Sequence, residues 1–217
     1  MKMTIQPKSE TPDDQETKSY APFLTRRFDL ALQLASGLHC NQRRKGTGIP
    51  YIAHLLAVCA LVLEFGGDEN QAITALLHDA VEDQGGVQAL EMIRCLFGDR
   101  VANAVESCSD SIASDPTKKL PWRDRKQEYL EHLQHADNDA LIVAVADKLH
   151  NARAILSDYR QIGDALWTRF NAGNNDQLWF YSALVKTLGS AKAPASLVVE
   201  LERVVNELIR EVEPTET

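Results

Sequence analysis

The stretch that decides the fold is "ALLHDAVEDQ", residues 75–84, which sets one histidine and three acids into an otherwise apolar segment. "GGD" at residues 66–68 and "DQGG" at residues 83–86 are turn signals, so we predict a single, nearly central helix between them, over residues 69–82. Burying polar side chains without partners costs roughly 2 to 7 kcal/mol each. Something in the folded protein must therefore compensate for these four groups.

The four polar side chains share faces in pairs on the predicted helix. Residues four apart lie side by side, so His78 would lie beside Glu82 and Asp79 beside Asp83. A divalent cation is the strongest candidate partner, because imidazole and carboxylate are ligands that suit Mn²⁺, Fe²⁺ or Zn²⁺. The alternative is a helix end whose acids face solvent, next to a histidine that is hydrogen-bonded within the core.

Two other stretches favour the metal site. "PYIAHLLAV" places His54 among apolar neighbours, and "IVAVADKLHNAR" places Asp147 directly after a five-residue apolar run. An isolated buried carboxylate is costly unless it is paired or bound to a metal. Two imidazoles and two carboxylates would leave open positions on the ion for water and substrate. The predicted metal ligands are His54, His78, Asp79 and Asp147.

Most other segments have the three- and four-residue apolar spacing of amphipathic helices. No segment has the alternating pattern of a sheet, and no repeat or low-complexity linker divides the chain. We therefore predict an all-α fold with one domain at residues 20–212, preceded by a disordered tail at residues 1–19. Besides 69–82, the predicted helices are 24–38, 51–65, 87–98, 99–110, 122–135, 140–159, 176–188 and 195–210.

The composition excludes several classes of function. Hydrophobic residues make up 44% of the chain and charged residues 25%, and the net charge of −8 argues against a general nucleic-acid binder. A local cationic pocket could still bind a small phosphorylated molecule. The four cysteines are widely spaced, no apolar run reaches the roughly 20 residues that span a bilayer, and the N-terminus is too polar for a signal peptide. We expect a cytoplasmic protein with no nucleic-acid and no membrane partner.

The pattern "H…HD…D" resembles that of the HD-domain metal-dependent phosphohydrolases. The wider text, with "RRK…PYIAH", "ALLHDAVED", "WRDRKQEYLEHL" and "VAVADKLHNAR", is similar to the hydrolase domain of the RelA/SpoT alarmone family over roughly residues 43–153. No synthetase or regulatory domain follows, so the stand-alone small alarmone hydrolases are the nearest likeness. The resemblance implies a single HD-domain helical bundle that removes the 3′-pyrophosphate from guanosine tetra- or pentaphosphate, with Mn²⁺ as cofactor. It also implies antagonism of a small alarmone synthetase.

The resemblance assigns roles to the predicted metal ligands and to the acids that follow them. His54, His78, Asp79 and Asp147 would hold the Mn²⁺ ion, or another divalent metal. In the family the Glu-Asp pair, here Glu82 and Asp83, is taken as catalytic. We assign both acids to activation of water, and we favour Glu82 because it would share the face of His78.

A polyphosphate substrate needs cations close to this acidic site. The family places nucleotide contacts in the loop before the His54 helix, and Asn151 lies one helical turn after Asp147. Lys148 and Arg153 are alternatives that could instead form structural ion pairs. The predicted substrate contacts are Arg43, Arg44, Lys45, Lys148, Asn151 and Arg153.

Other cationic and aromatic residues could also reach a nucleotide. Arg123 and Lys126 share one helix face, where they could contact the polyphosphate or simply face solvent. An aromatic residue late in the chain could stack on the base, although most such residues pack in cores. The late aromatic cluster is Trp167, Phe170, Trp179, Phe180 and Tyr181.

The sequence departs from the family on the substrate side of the site. "GTGI" follows "RRK" where an acid or a Ser-Gly pair is usual, and Gln84 stands where threonine is common. Two alternatives are therefore open. One is an HD phosphohydrolase that acts on another nucleotide, such as the adenosine analogue. The other is a non-catalytic nucleotide-binding module, against which the full set of predicted ligands and acids argues.

Overall fold

Ten α-helices and one 3₁₀ segment account for most of the described residues, 23–109 and 120–213 of this computed structural model. No β-strand lies in these two ranges, where one isolated bridge pairs Arg43 with Pro50. The predicted all-α class is confirmed, and the tail predicted for residues 1–19 lies outside the described residues. The helices are α1 (Arg26–Leu38), α2 (Ile52–Glu64), α3 (Glu69–Leu77), α4 (Ala80–Gln84), α5 (Gly86–Phe97), α6 (Asp99–Cys108), α7 (Trp122–Leu133), α8 (Asn138–Ile162), α9 (Asn174–Ser190) and α10 (Ala195–Val212), with the 3₁₀ segment at Gly163–Arg169.

Local capping explains where several helices begin and end. The Asp68 carboxylate accepts a hydrogen bond from the Gln71 amide at 3.0 Å, and the Gln71 side chain accepts one from the Asp68 amide at 2.8 Å. This reciprocal pair starts α3. Asp137 starts α8 by accepting from the amide of Ala140 at 2.9 Å. Gly163 ends α8 with φ of 57°, a left-handed conformation that glycine adopts without steric cost.

The single helix predicted for residues 69–82 is wrong. The chain breaks between α3 and α4, so His78 and Asp79 lie at a joint between two helices. A ring nitrogen of His78 donates to the carbonyl oxygen of Ala75 at 2.8 Å. In a continuous helix that oxygen would accept from the backbone amide of Asp79. The regular i, i+4 spacing therefore does not carry from His78 to Glu82.

The longest helix, α8, lies at the centre of the packing. It contacts α2, α3, α6, α9, α10 and the 3₁₀ segment. All residues from 140 to 147 are buried, because neighbouring helices cover every face of this part of α8. Asp147, only 6% exposed, is thus a charged side chain inside the core.

The other predicted helices are confirmed, with ends moved by a few residues. The helix predicted for 140–159 extends in the structure to the full length of α8. The 3₁₀ segment was not predicted. It packs against α8, and its Leu166 is buried in the core. Such short turns carry too few residues for a clear apolar period. None of the described helices has both the length and the apolar character needed to cross a membrane.

Two residues of α10 test the assigned core. Leu201 is fully buried and Val199 is 59% exposed on the same helix. Leu201→Ala should lower the free energy of unfolding by about 2 to 5 kcal/mol, because contacts are lost and a cavity forms. Val199→Ala should change it by less than about 0.5 kcal/mol. Urea unfolding followed by circular dichroism measures both, and equal losses would contradict the burial assigned to α10.

Candidate functional site

The four predicted metal ligands converge at one point. His54 comes from α2, His78 and Asp79 from the joint between α3 and α4, and Asp147 from α8. Nε2 of His54 lies 3.5 Å from Oδ2 of Asp79 and 3.2 Å from Oδ1 of Asp147. Nε2 of His78 lies 3.1 and 3.8 Å from the same two oxygens. Ligand atoms of His54, His78 and Asp79 all lie within 4.8 Å of one another, a group that could hold a metal ion.

The ring of His78 is oriented to offer a lone pair to this point. Its Nδ1 lies 2.8 Å from the carbonyl oxygen of Ala75, which only accepts, so Nδ1 carries the proton. Nε2 is buried and forms no hydrogen bond within the described residues. Buried polar atoms nearly always have partners, so this nitrogen fits a cation ligand. Burial alone would lower the pKa of His78, but Asp79 and Asp147 raise it well above its ordinary value, so a proton competes for the same nitrogen.

The ring of His54 is held from behind by a second histidine. Its Nδ1 lies 2.8 Å from Nδ1 of His150 on α8, so one ring donates and the other accepts. Burial, assisted by the positive charges nearby, lowers the pKa of His150 to about 4, so His150 is neutral and can accept. Donation by His54 from Nδ1 leaves its Nε2 lone pair directed at the carboxylates. Metal-ligating histidines are commonly oriented in this way by an outer partner.

Neighbouring donors hold both carboxylates. The Tyr51 hydroxyl donates to Oδ2 of Asp79 at 2.7 Å. The Lys148 ammonium and the Asn151 amide donate to the two oxygens of Asp147 at 2.6 and 2.5 Å. Burial alone would raise the pKa of each acid. The two histidines hold the pKa of Asp79 well below its ordinary range, and Lys148 together with the histidines does the same for the pKa of Asp147. Both acids are therefore ionised, the form that binds cations.

The two acids of α4 lie exposed beside this cluster. The amide of Asp83 donates to the carbonyl of Asp79 at 3.0 Å, which ties the start of α4 to the joint. The side-chain amide of Gln42 donates to Oδ2 of Asp83 at 2.7 Å, and Gln84 donates to the oxygen of Gln42, also at 2.7 Å. Gln84, where the family commonly has threonine, thus forms a hydrogen bond with the loop before α2. Glu82 is the residue immediately before Asp83 in the sequence.

Sequence reasoning did not identify three side chains that support the site. His39 is 2% exposed, lies 2.6 Å from the oxygen of Gln42, and stacks on Tyr51 with ring centroids 5.1 Å apart. These residues connect the loop before α2 to Asp79 and Asp83. Only Tyr51 carried a sequence signal, through its place in "PYIAH"; the other two become apparent only from their contacts.

A cavity of about 380 Å³ opens beside the metal cluster. Tyr51, Lys148 and Asn151 join the two, because each lines the cavity and bonds to a carboxylate of the cluster. The walls combine cationic side chains with aromatic rings, which suits a phosphorylated nucleotide. The cationic residues of the lining are Arg44, Lys45, Lys126, Lys148 and Arg169, and the aromatic ones are Tyr51, Trp122, Phe170, Phe180 and Tyr181.

Four of the six predicted substrate contacts line this cavity: Arg44, Lys45, Lys148 and Asn151. Arg44 donates to the oxygen of Asn151 at 2.6 Å, and the amide of Asn151 in turn donates to Asp147. A chain of hydrogen bonds thus runs from the loop before α2 to the metal cluster. The Lys45 ammonium donates to the side-chain oxygen of Asn171 at 3.2 Å, which links the same loop to the segment before α9.

The other two predicted contacts are not among the residues that line the cavity. Arg43 donates to the carbonyl of Gly48 at 2.6 Å, within its own loop. Arg153 pairs with Glu200 of α10 at 3.5 Å, which is the structural ion pair that the sequence left open as its alternative.

Two further cations of the lining are not among the six predicted substrate contacts. Lys126 faces the cavity, whereas Arg123 pairs with Asp176 at 2.6 Å and does not line it. Arg169 reaches the cavity from the unpredicted 3₁₀ segment and pairs with Asp158 of α8 at 2.7 Å. Arg169 had no sequence signal, because its role depends on how the 3₁₀ segment folds back onto α8.

Several curated relatives of this chain are named as guanosine-3′,5′-bis(diphosphate) 3′-pyrophosphohydrolases, and others as GTP pyrophosphokinases. A guanosine-3′,5′-bis(diphosphate) 3′-pyrophosphohydrolase, MESH1, of Xenopus tropicalis is 39% identical over 126 residues, which cover 57% of this chain and 66% of that protein. A probable guanosine-3′,5′-bis(diphosphate) 3′-pyrophosphohydrolase of Synechocystis is 34% identical over 125 residues, 58% of this chain and 16% of that protein. This chain therefore matches less than two thirds of the length of these relatives.

Solved structures share the fold. A metazoan ortholog of SpoT, described as hydrolysing ppGpp and acting in starvation responses, aligns with a TM-score of 0.68 and 25% identity over 86% of this chain and 98% of that one. A Listeria monocytogenes protein aligns with a TM-score of 0.62 and 28% identity over 72% of this chain and 99% of that one. The HD domain family model matches residues 31–175, more than half of the chain. The resemblance drawn from the motifs is thus confirmed, and the chain belongs to the HD domain family.

Proposed function

We propose that this protein is a metal-dependent pyrophosphohydrolase that removes the 3′-pyrophosphate from guanosine tetra- or pentaphosphate. The observation that carries the proposal is the position of the buried cluster of two imidazoles and two carboxylates. It lies at one end of a cavity whose walls hold five cationic side chains. The names of the MESH1 relative and of the SpoT-like neighbour support the same substrate.

The metal ligands proposed are His54, His78, Asp79 and Asp147, with Mn²⁺ as the cation. The donor set fits, because the buried Nε2 of His78 has no hydrogen-bond partner in the described residues and both carboxylates are ionised. When bound, a divalent cation stabilises charge on phosphoryl oxygens and promotes the ionisation of water. Mixed imidazole and carboxylate sites suit Mn²⁺ among several divalent ions.

Glu82 and Asp83 are proposed to orient the attacking water and accept its proton. Both are exposed beside the cluster, on the first turn of α4. Gln42 holds one oxygen of Asp83 at 2.7 Å, and a carboxylate oxygen can accept more than one hydrogen bond. Its orientation is therefore set before substrate binds, which favours proton transfer in a defined direction.

The cationic walls are proposed to hold the phosphates. Arg44 is fixed by Asn151 at 2.6 Å, and Lys148 by Asp147 at 2.6 Å, so their positive charges lie next to the cluster. A diphosphate at the cluster would meet these two cations, which neutralise charge that the carboxylates would otherwise repel.

A cytoplasmic location and opposition to a small alarmone synthetase belong to the same proposal. The four cysteines are free, as expected in a reducing compartment. An enzyme that consumes the alarmone opposes any enzyme that makes it, without direct contact between the two proteins.

Product analysis tests the proposed reaction. Purified protein with Mn²⁺ should release GDP and pyrophosphate from guanosine tetraphosphate, and a chelator should stop the release. The adenosine counterpart and ordinary nucleoside triphosphates serve as comparison substrates. Cleavage of another nucleotide in place of guanosine tetraphosphate would contradict the proposed substrate and favour a different HD phosphohydrolase.

Asp79→Ala should abolish both metal binding and turnover. The carboxylate lies 3.1 Å from His78 and 3.5 Å from His54, and its loss removes a charged ligand from the centre of the cluster. Calorimetry with Mn²⁺ measures binding, with Asp99→Asn, an exposed acid of α6, as the control. An Asp79→Ala protein that still turns over substrate would exclude this residue as an essential ligand.

Glu82→Ala should keep the metal and lose most of the rate. Removal of a general base costs about 100-fold or more in kcat. Glu91→Ala, which removes an exposed glutamate of α5, provides the matched control and should keep full activity. Steady-state kinetics and Mn²⁺ calorimetry on both variants separate the two effects. Loss of the metal in Glu82→Ala would show that this glutamate is a ligand.

A further inference from the structure

One face of α8 forms the floor of the cavity and connects two polar ends. Asp147 and Asp158 lie about three turns apart on this face, or about 16 Å along the axis at the usual rise per residue. Asn151, Ala154 and Ile155 line the cavity between them. The cluster end therefore faces a second, distal end, at a separation that suits the span of a nucleotide from its 3′-phosphate to its base.

An Asp–Arg pair forms the distal end. Asp158 and Arg169 both line the cavity, their atoms are 2.7 Å apart, and their side chains are 33% and 25% exposed. The pair uses part of the bonding capacity of each side chain, because a carboxylate has about four acceptor sites and a guanidinium has five donors. The remaining capacity is accessible from the cavity.

Gly46 keeps Arg169 in this position. A Cβ atom at Gly46 would lie 2.5 Å from Cδ of Arg169, and the residue has φ of 71°, so only glycine fits here without strain. Gly46 is the first residue of "GTGI", the segment that departs from the family pattern. The departure thus allows the loop before α2 to pack directly on the arginine of the distal end.

Asp158, the acid of this pair, is not suited to binding phosphate, because both groups are negatively charged. Among the described residues that line the cavity, Asp158 is the single negative side chain, opposite five cations. A carboxylate repels phosphate but accepts hydrogen bonds from a base that presents N–H groups. Guanine presents two such groups, N1–H and the 2-amino group, next to the acceptor O6, and arginine is the usual donor to that acceptor.

We propose that Asp158 and Arg169 read the base of the nucleotide and select guanine over adenine. Asp158 accepts from N1–H and the 2-amino group, while Arg169 donates to O6. Adenine lacks both of these donors and the O6 acceptor, so it leaves the pair poorly matched. Gln177, 7% exposed in the same lining, has no side-chain hydrogen bond within the described residues and offers a further amide to the base. This inference rests on the proposed function, since it takes the 3′-phosphates to lie at the cluster.

Binding of nucleotides without a pyrophosphate group tests the selection apart from hydrolysis. The probes are the 3′,5′-bisphosphates of guanosine, inosine and adenosine, titrated by calorimetry with Mn²⁺ at one fixed concentration. The wild-type protein should bind the guanosine form about tenfold more tightly than the adenosine form, with the inosine form between them. Asp158→Asn should reduce this preference to less than about twofold, mainly by weakening the guanosine form. Asp99→Asn, which alters another Asp–Arg pair at 2.8 Å, should keep the full preference.

Several results would overturn the inference. An unchanged preference in Asp158→Asn would do so, as would a wild-type protein without preference or without binding. In Arg169→Gln, equal weakening of the guanosine and adenosine forms would make Arg169 a phosphate contact and not a reader of the base. If Asp158→Asn fails to fold, Gly46→Ala replaces it, because the added Cβ displaces Arg169; a retained preference there would equally contradict the proposal.

The proposed function and this inference can fail separately. Guanine preference without release of pyrophosphate from guanosine tetraphosphate would overturn the proposed reaction alone. Release of pyrophosphate with no loss of preference in Asp158→Asn would overturn the assignment of the base-reading pair alone.

Discussion

The carboxylate of Asp147 lies in the most apolar part of the central helix, and the site is built around the need to stabilise it there. A buried ionised carboxylate is tolerated only with close partners. Lys148 and Asn151 donate to it from the same helix, and the two histidines approach it from other helices. A divalent cation between these groups would add the missing positive charge. The helix at the centre of the core is therefore also the one that carries Asp147 and Asn151 of the candidate site.

The same helix forms the floor of the cavity along its length. Its exposed face runs from the cluster to Asp158, and the walls on either side come from the loop before α2 and from the segment after α8. Those two walls contact each other through Lys45 with Asn171 and through Gly46 with Arg169. The proposed reaction and the proposed recognition of the base thus lie at opposite ends of one helix, so substitutions at the distal end leave the candidate metal ligands in place.

Sequence patterns predicted the helical class and most helix positions, because amphipathic spacing is a local property that neighbouring side chains determine. They also singled out the residues that form the cluster, since a polar residue within an apolar run is visible without any structure. The helix predicted over 69–82 failed where a side chain competed with the backbone. His78 bonds to the carbonyl of Ala75, and apolar spacing contains no information about that bond.

What the sequence determined by itself was the identity of the four polar residues that meet in the cluster and the family they indicate, because a polar residue within an apolar run is costly to bury wherever the chain folds. Only the tertiary structure decided which of them meet and which cations line the cavity. Arg153 belongs to a family motif and Arg169 does not, yet Arg153 pairs with Glu200 on α10 and Arg169 lines the cavity. That difference depends on the packing of distant segments against α8, because a charged side chain takes its role from the groups that surround it and not from its neighbours along the chain.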